Sequence, residues 1–116
     1  MESTPKITKK HLAYCFSTVI NSLKKKTRKP LPYPNDLKDF SLPLFITWKV
    51  TKTDDLRGCI GKIIICLIKG TFAKDLLSEN MGKYAHTSAF DDSRFNPISL
   101  KEIPNLSVCD IYNTNY

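Results

Sequence analysis

The chain has 116 residues and a mass of 13.2 kDa, enough for one domain but not for a two-domain enzyme with a separate cofactor module. Hydrophobic residues make up 41% and charged residues 25%, so the chain is too apolar to be disordered. The net charge of +7 is carried by residues 1–29, which hold eight bases and one acid, whereas residues 30–116 hold ten of each. The overall charge therefore says little about what the body of the domain binds.

The N-terminal part is predicted to contain a disordered basic terminus, residues 1–7, followed by an amphipathic helix from Thr8 to Lys25. Thr8 is suited to cap this helix, and the lysines at its end favour a helix C-terminus. Apolar residues recur on one face at steps of three and four: Leu12, Cys15, Phe16, Val19, Ile20 and Leu23. We expect this stripe to pack onto a sheet.

The middle of the chain is predicted to form a β-hairpin after a long loop. Four prolines make residues 27–43 extended and irregular. The alternating pattern from Leu44 to Val50 predicts a strand, and Leu56 to Gly61 supplies a return strand after a polar turn.

The remaining elements are predicted to be helical except for the last. Residues 73–90 have a helical pattern, weakened by Gly82. Ser99 and Glu102 form a capping box for a short helix that Pro104 is expected to end, and Leu106 to Tyr112 is predicted as a strand. Helices segregated from an antiparallel sheet predict an α+β fold.

Cysteine and histidine spacing argues against a metal site. No Cys-x-x-Cys pair occurs among Cys15, Cys59, Cys66 and Cys109, and the two histidines are not at zinc-finger distances from them. We therefore predict no metal and no cofactor, and a reducing, intracellular compartment. The longest apolar run, Ile63 to Ile68, is too short to span a membrane, so no membrane association is expected.

The hexapeptide from Leu56 to Gly61 is the stretch most suggestive of chemistry. In a regular strand Arg57 and Cys59 share one face with Gly61, opposite the aliphatic positions. Glycine allows a ligand to approach closely, and a nearby guanidinium lowers the pKa of a thiol. The alternative is a strand at the margin of the core with a small buried cysteine and a surface arginine.

Four blocks of sequence resemble the AMMECR domain family. They are Tyr14-Cys15-Phe16, Pro43-Leu44-Phe45-Ile46-Thr47-Trp48-Lys49, the hexapeptide Leu56-Arg57-Gly58-Cys59-Ile60-Gly61, and Tyr84 through Ser88-Ala89 to Asp92-Ser93-Arg94-Phe95 with Pro97. The resemblance implies an intracellular α+β domain in two lobes, with the hexapeptide strand lining a cleft. It implies no established reaction. Prokaryotic members of the family accompany Memo-like and radical-SAM proteins, and animal members are described as nuclear or scaffold-like.

The resemblance also implies candidate site residues. Cys59 is the candidate catalytic residue, and the candidate ligand-binding residues are Arg57, Gly58, Gly61, Asp92 and Arg94. For Asp92 and Arg94 the alternative is an ion pair or a turn-stabilising role. Phe95 is predicted to anchor the turn in the core.

The sequence leaves three functions open. The first is a binding or regulatory domain, formed by residues 8–116, whose cleft takes an unknown protein or a small ligand. The second is an enzyme with Cys59 as nucleophile, assisted by Arg57 and with His86 as a candidate base. The third is nucleic-acid binding through residues 24–29, a segment for which a nuclear import signal and a solvated helix end are the alternatives. Because no aromatic residues interleave with these bases, nucleic-acid binding is not expected. The predicted location is the cytoplasm, the nucleus or both.

The chain departs from the family pattern in two ways. The family domain continues beyond the last predicted strand, so the chain is expected to cover only its N-terminal part. Residues 62–70 are extra, and removing them restores the family spacing. They are either a real insertion or a short intron translated by a faulty gene model, and their apolar β-branched run is an aggregation hazard if exposed.

Overall fold

The computed structural model describes residues 6–42, 44–61 and 75–109. The elements in chain order are α1 (Lys9–Lys25), β1 (Ser41–Leu42), β2 (Phe45–Val50), β3 (Asp55–Gly61), β4 (Asp75–Leu76), α2 (Leu77–Phe90), a 3₁₀ helix (Leu100–Asn105) and β5 (Leu106–Cys109). The α+β prediction is confirmed. Residues 1–5 and the extra residues 62–70 lie outside the described residues. Ile7, assigned by sequence to the disordered terminus, is instead buried in the core.

The central sheet is antiparallel with the strand order β3-β2-β5, and β1 pairs with β4 in a separate two-stranded ribbon. The predicted hairpin is formed by β2 and β3. Its turn is closed by a hydrogen bond from the amide of Asp54 to the carbonyl of Val50, 2.7 Å long. Asp54 has a φ of 61°, a left-handed conformation that aspartate tolerates better than most residues. Within the described residues β3 is an edge strand.

The first helix begins one residue later than predicted and is held at its start by His11. The amide of Thr8 donates to His11 Nδ1 at 3.0 Å. Because Nδ1 accepts this bond, the ring proton lies on Nε2, which donates to the carbonyl of Lys38 at 2.9 Å. Sequence reasoning had given His11 no structural role, yet the ring ties the N-terminus of α1 to the proline-rich loop.

The buried face of α1 is rotated about the helix axis relative to the predicted stripe. Leu12, Cys15 and Val19 are fully buried as expected, but Phe16, Ile20 and Leu23 are only partly buried. Polar groups on the neighbouring face are buried instead, because the proline-rich loop covers them. The hydroxyl of Tyr14 donates to the carbonyl of Leu31 at 2.7 Å, and Thr18 Oγ1 accepts from the amide of Leu31 at 2.8 Å.

Phe16 nonetheless contacts the sheet as predicted, with its ring edge-on to Trp48 at a centroid distance of 4.9 Å. Since Phe16 is half-buried, Phe16→Ala is expected to lower the free energy of unfolding by about 2 kcal/mol, less than the 3–5 kcal/mol of a fully buried aromatic. Urea denaturation measures this, with exposed Ser17→Ala as the control. A loss below about 1 kcal/mol for Phe16→Ala would show that the contact contributes little.

The second helix begins at Leu77, later than the predicted residue 73. Residues 75 and 76 form β4 rather than helix, because this strand pairs with β1 and the amide of Leu77 donates to the carbonyl of Phe40 at 3.0 Å. Residues 73 and 74 lie outside the described residues. The interior glycine has a packing reason: a Cβ on Gly82 would lie 2.6 Å from the Tyr14 hydroxyl and 2.7 Å from Pro30 Cβ.

The predicted capping box is present at the 3₁₀ helix, where the amide of Ser99 donates to the Glu102 carboxylate at 2.7 Å. Pro104 lies inside this helix and does not end it, because the φ of proline suits a 3₁₀ conformation. The described part of the last strand is Leu106–Cys109, and residues 110–112 of the prediction lie outside it.

Candidate functional site

A β-bulge interrupts β3 in the middle of the hexapeptide. Trp48 lies opposite Gly58, but the next residue, Lys49, lies opposite Leu56, so Arg57 is the extra residue. The predicted strict alternation is therefore wrong. Leu56 shares a face with Lys49 and Cys59, and its side chain is 38% exposed instead of buried. Gly58 inside the strand pattern is compatible with a bulge or with close backbone packing, but it does not by itself identify Arg57 as the extra residue.

Gly58 faces α2 and not a cleft. It is buried, and a Cβ at this position would collide with the carbonyl oxygen of Ser88 and lie 3.1 Å from its carbonyl carbon. The side chain of Ser88 also accepts the indole N–H of Trp48 at 2.9 Å. The absent side chain at Gly58 thus allows helix and strand to approach closely.

Cys59 is half-buried on the opposite face, where its Sγ lies 3.3 Å from Thr47 Oγ1. Burial is the largest influence on the thiol and raises its pKa. The hydrogen bond with Thr47 and the charge of Arg94 lower the pKa, and the charge of Asp92 raises it, with a net rise. Arg57 is not among the groups that shift this pKa, so the geometry offers no support for Arg57 as the activator of this thiol. Thr47 was missed as its partner, although the hairpin register places it directly opposite.

Arg57 is engaged by a carboxylate that sequence reasoning treated only as a cap. Its Nε and Nη2 donate to the two oxygens of Glu102 at 2.7 and 3.1 Å, and Nη2 also donates to the carbonyl of Pro97 at 3.3 Å. The Arg57 side chain is 15% exposed, and this bidentate bond lowers the pKa of Glu102. Nη1 is buried and has no hydrogen-bond partner among the described residues.

Asp92 and Arg94 approach β3 from the turn after α2, as expected. Asp92 Oδ2 accepts the amide of Cys59 at 3.1 Å, and Arg94 donates to both carboxylate oxygens at 3.0 and 2.7 Å. These bonds, led by that with Arg94, lower the pKa of Asp92 to about 2. Arg94 covers the carboxylate, which is 8% exposed, while Arg94 itself is 59% exposed. Asp92 and Arg94 thus form the ion pair that was the alternative to a ligand-binding role.

The ring of Phe95 lies beside two guanidinium groups. The guanidinium carbon of Arg94 is 5.5 Å from the ring centroid, and that of Arg57 is 6.0 Å from it. Phe95 is half-buried and does not belong to the buried core, so its predicted role as a core anchor is replaced by contacts with cations.

His86 faces α1 and does not pair with Cys59. Its Nε2 lies 2.5 Å from Ser22 Oγ and 3.4 Å from the carbonyl of Thr18, and burial lowers its pKa. Successive residues of an α-helix are rotated by about 100° around its axis, so side chains two positions apart point in nearly opposite directions. Because Ser88 faces β3, His86 points to the other side of α2, and the candidate Cys–His pair is not formed.

The described part of the chain contains neither a metal-binding cluster nor a membrane-spanning helix. No group of three His, Cys, Asp or Glu side chains there could hold a metal ion. Neither α1 nor α2 is long and apolar enough to cross a membrane.

Comparison with known proteins gives consistent matches. A family model described as AMMECR1 matches residues 12–111. An uncharacterized protein of Arabidopsis thaliana is 34% identical over 106 residues, which cover 89% of this chain and 44% of that protein. An uncharacterized protein of Schizosaccharomyces pombe is 35% identical over 98 residues, covering 82% and 45%. The crystal structure of an uncharacterized protein from Pyrococcus horikoshii matches with a TM-score of 0.61 and 30% identity, covering 84% of this chain and 46% of that one. The chain spans less than half the length of each of these relatives.

Proposed function

The chain belongs to the AMMECR1 family, and from this premise we propose that it is an intracellular binding domain, not an enzyme, whose ligand contacts the outer face of β3. The contact surface consists of Leu56, Cys59 and Arg94. The ligand is a peptide or a small molecule.

The observation that carries this proposal is the electrostatic state of the hexapeptide strand. Glu102 neutralises Arg57, Asp92 neutralises Arg94, and burial raises the pKa of the Cys59 thiol. A thiol that stays protonated near neutral pH is a poor nucleophile, since the thiolate is the reactive form. Such a site is better suited to noncovalent binding of a ligand than to covalent catalysis. The bulge supports the same reading, because it adds an exposed apolar side chain, Leu56, to the face of Cys59.

The first test is the reactivity of Cys59. We expect the rate of its alkylation by iodoacetamide, followed by mass spectrometry of the peptide that contains it, to rise only above the ordinary thiol pKa of about 8.5. Asp92→Asn should lower this apparent pKa, since it removes the carboxylate that raises it. An apparent pKa below 7 in the unmodified chain would contradict the proposal and favour the enzyme.

The second test is binding itself. A fragment library is screened by nuclear magnetic resonance, and hits are expected to shift the amide signals of residues 55–59. Arg94→Ala should weaken these hits, whereas Lys83→Ala, which removes another exposed positive charge, this one on α2, should not. Binding should survive Cys59→Ser within about threefold, less than 1 kcal/mol. Loss of binding in Cys59→Ser would indicate capture by the thiol instead of contact.

A further inference from the structure

A second candidate site lies between the C-terminal ends of α1 and α2. It is a cavity of about 210 Å³ with apolar and cationic walls. The apolar side chains that line it are Leu23, Phe90, Pro97 and Ile98, and the cationic ones are Lys26 and Arg28. It meets the β3 site at Pro97, whose carbonyl accepts from Arg57, but it is built from different elements.

Lys26 and Arg28 line this cavity, and the strongly basic segment to which they belong, residues 24–29, is called its basic rim. Residues 24–29 contain four lysines and Arg28 among six positions, and all five bases are exposed. Arg28 forms an ion pair with Asp91 at 3.0 Å. The four lysines take part in no ion pair within the described part of the chain. An apolar cavity thus lies beside a cluster of uncompensated positive charge, while the rest of the chain beyond residue 29 is neutral.

We propose that this cavity and its basic rim dock an acidic segment of another protein, with one large apolar side chain of that segment in the cavity and its carboxylates on the lysines. The volume supports a single side chain, since pockets for drug-sized ligands measure about 300–1,000 Å³. The charge pattern requires an anionic partner, and surface charges of this kind raise the association rate and select among partners.

A peptide fits this site better than a nucleic acid does. Single-stranded nucleic acids need exposed aromatic faces on which their bases stack. The aromatic ring at this cavity, Phe90, is covered by Arg28, whose guanidinium carbon lies 4.6 Å above the ring centroid.

The test uses the 116-residue chain and a short labelled peptide of glutamates around one central phenylalanine, with binding followed by fluorescence anisotropy. The paired substitutions Lys26→Glu and Lys29→Glu should weaken binding at least about tenfold. The matched control is Lys9→Glu with Lys10→Glu, which makes the same change in net charge at the other end of α1. Circular dichroism verifies that both variants are folded.

A peptide with alanine in place of the phenylalanine should bind at least about fivefold more weakly, because the cavity then stays empty. Three results would overturn the proposal. These are equal losses in the two lysine variants, equal binding of the two peptides, and tighter binding of a single-stranded oligonucleotide than of the phenylalanine peptide. The first two would show that the peptide binds only by nonspecific electrostatic attraction. The third would show that the basic rim binds nucleic acid in preference to an acidic peptide.

Discussion

Replacing Gly58 by alanine is expected to lower the free energy of unfolding by about 3 kcal/mol, although alanine is the better strand residue. The added Cβ would collide with the backbone carbonyl of Ser88. If the obstacle were the end of a flexible side chain, it could turn away from the new Cβ. The obstacle is instead a backbone carbonyl of α2, which can move only if the helix moves. A shift of α2 would in turn pull Ser88 Oγ away from the Trp48 indole, 2.9 Å distant, and leave a buried N–H group without its acceptor.

The matched control is Gly82→Ala in α2. Its Cβ would also meet close neighbours, the Tyr14 hydroxyl and Pro30, but Pro30 and Leu31, whose carbonyl accepts from that hydroxyl, lie in the proline-rich loop, which can shift at lower cost than a packed helix. Alanine in a helix interior also gains about 1 kcal/mol over glycine. We therefore expect a clearly smaller loss than for Gly58→Ala in urea denaturation. Equal losses at both glycines, or a loss at Gly58 below about 1 kcal/mol, would contradict a rigid contact between β3 and α2.

Local patterns were enough to predict most of the fold. The spacing of Leu12, Cys15 and Val19 identified α1, and the alternation from Leu44 onward identified the hairpin. These elements are predictable because periodicity and turn chemistry act between residues close in sequence. The start of α2 was misplaced, since β4 exists only through its pairing with β1, more than thirty residues earlier. The family could be recognised from its motifs, and the match over residues 12–111 confirms it.

The candidate site was less predictable because its geometry depends on contacts between distant segments. The bulge at Arg57 is defined by the pairing of β3 with Lys49 and Trp48, and the neighbouring Gly58 is only an ambiguous local sign of it. Glu102 was visible as a capping residue, but its second bond joins positions 45 residues apart. His86 could have been excluded earlier: with Ser88 on the sheet side of α2, helical geometry alone turns His86 away from Cys59.

Breaking the pair between Arg57 and Glu102 is the second large effect expected. Glu102→Gln should lower the free energy of unfolding at pH 7 by about 2 kcal/mol. Breaking a fully buried pair costs about 3–5 kcal/mol, but the Glu102 side chain is 34% exposed, and solvent screens part of the interaction. Arg57 would then keep a buried charge with a weaker, neutral acceptor, and its Nη1 already has no hydrogen-bond partner among the described residues. Arg57→Lys should be no milder, since an ammonium group cannot replace a bidentate guanidinium.

The pH dependence of the free energy of unfolding distinguishes the contribution of this ion pair from that of simple packing. The pKa of Glu102 is lowered by folding from its ordinary value of 4.5, so its contribution to stability is present above pH 4.5 and is lost as the pH falls. Glu102→Gln should therefore remove part of the acid sensitivity of the chain below pH 4.5, as measured by urea denaturation at a series of pH values. Among the described residues, Asp92 should contribute to the acid sensitivity that remains, because its pKa of about 2 in the folded chain extends the loss of its contribution to lower pH. The control is Asp91→Asn, which breaks an ion pair whose side chains are both more than half exposed and should cost only about 0.5 kcal/mol. An unchanged acid sensitivity in Glu102→Gln, or an equal cost for the two variants at pH 7, would show that the bond to Arg57 does not stabilise the hexapeptide strand.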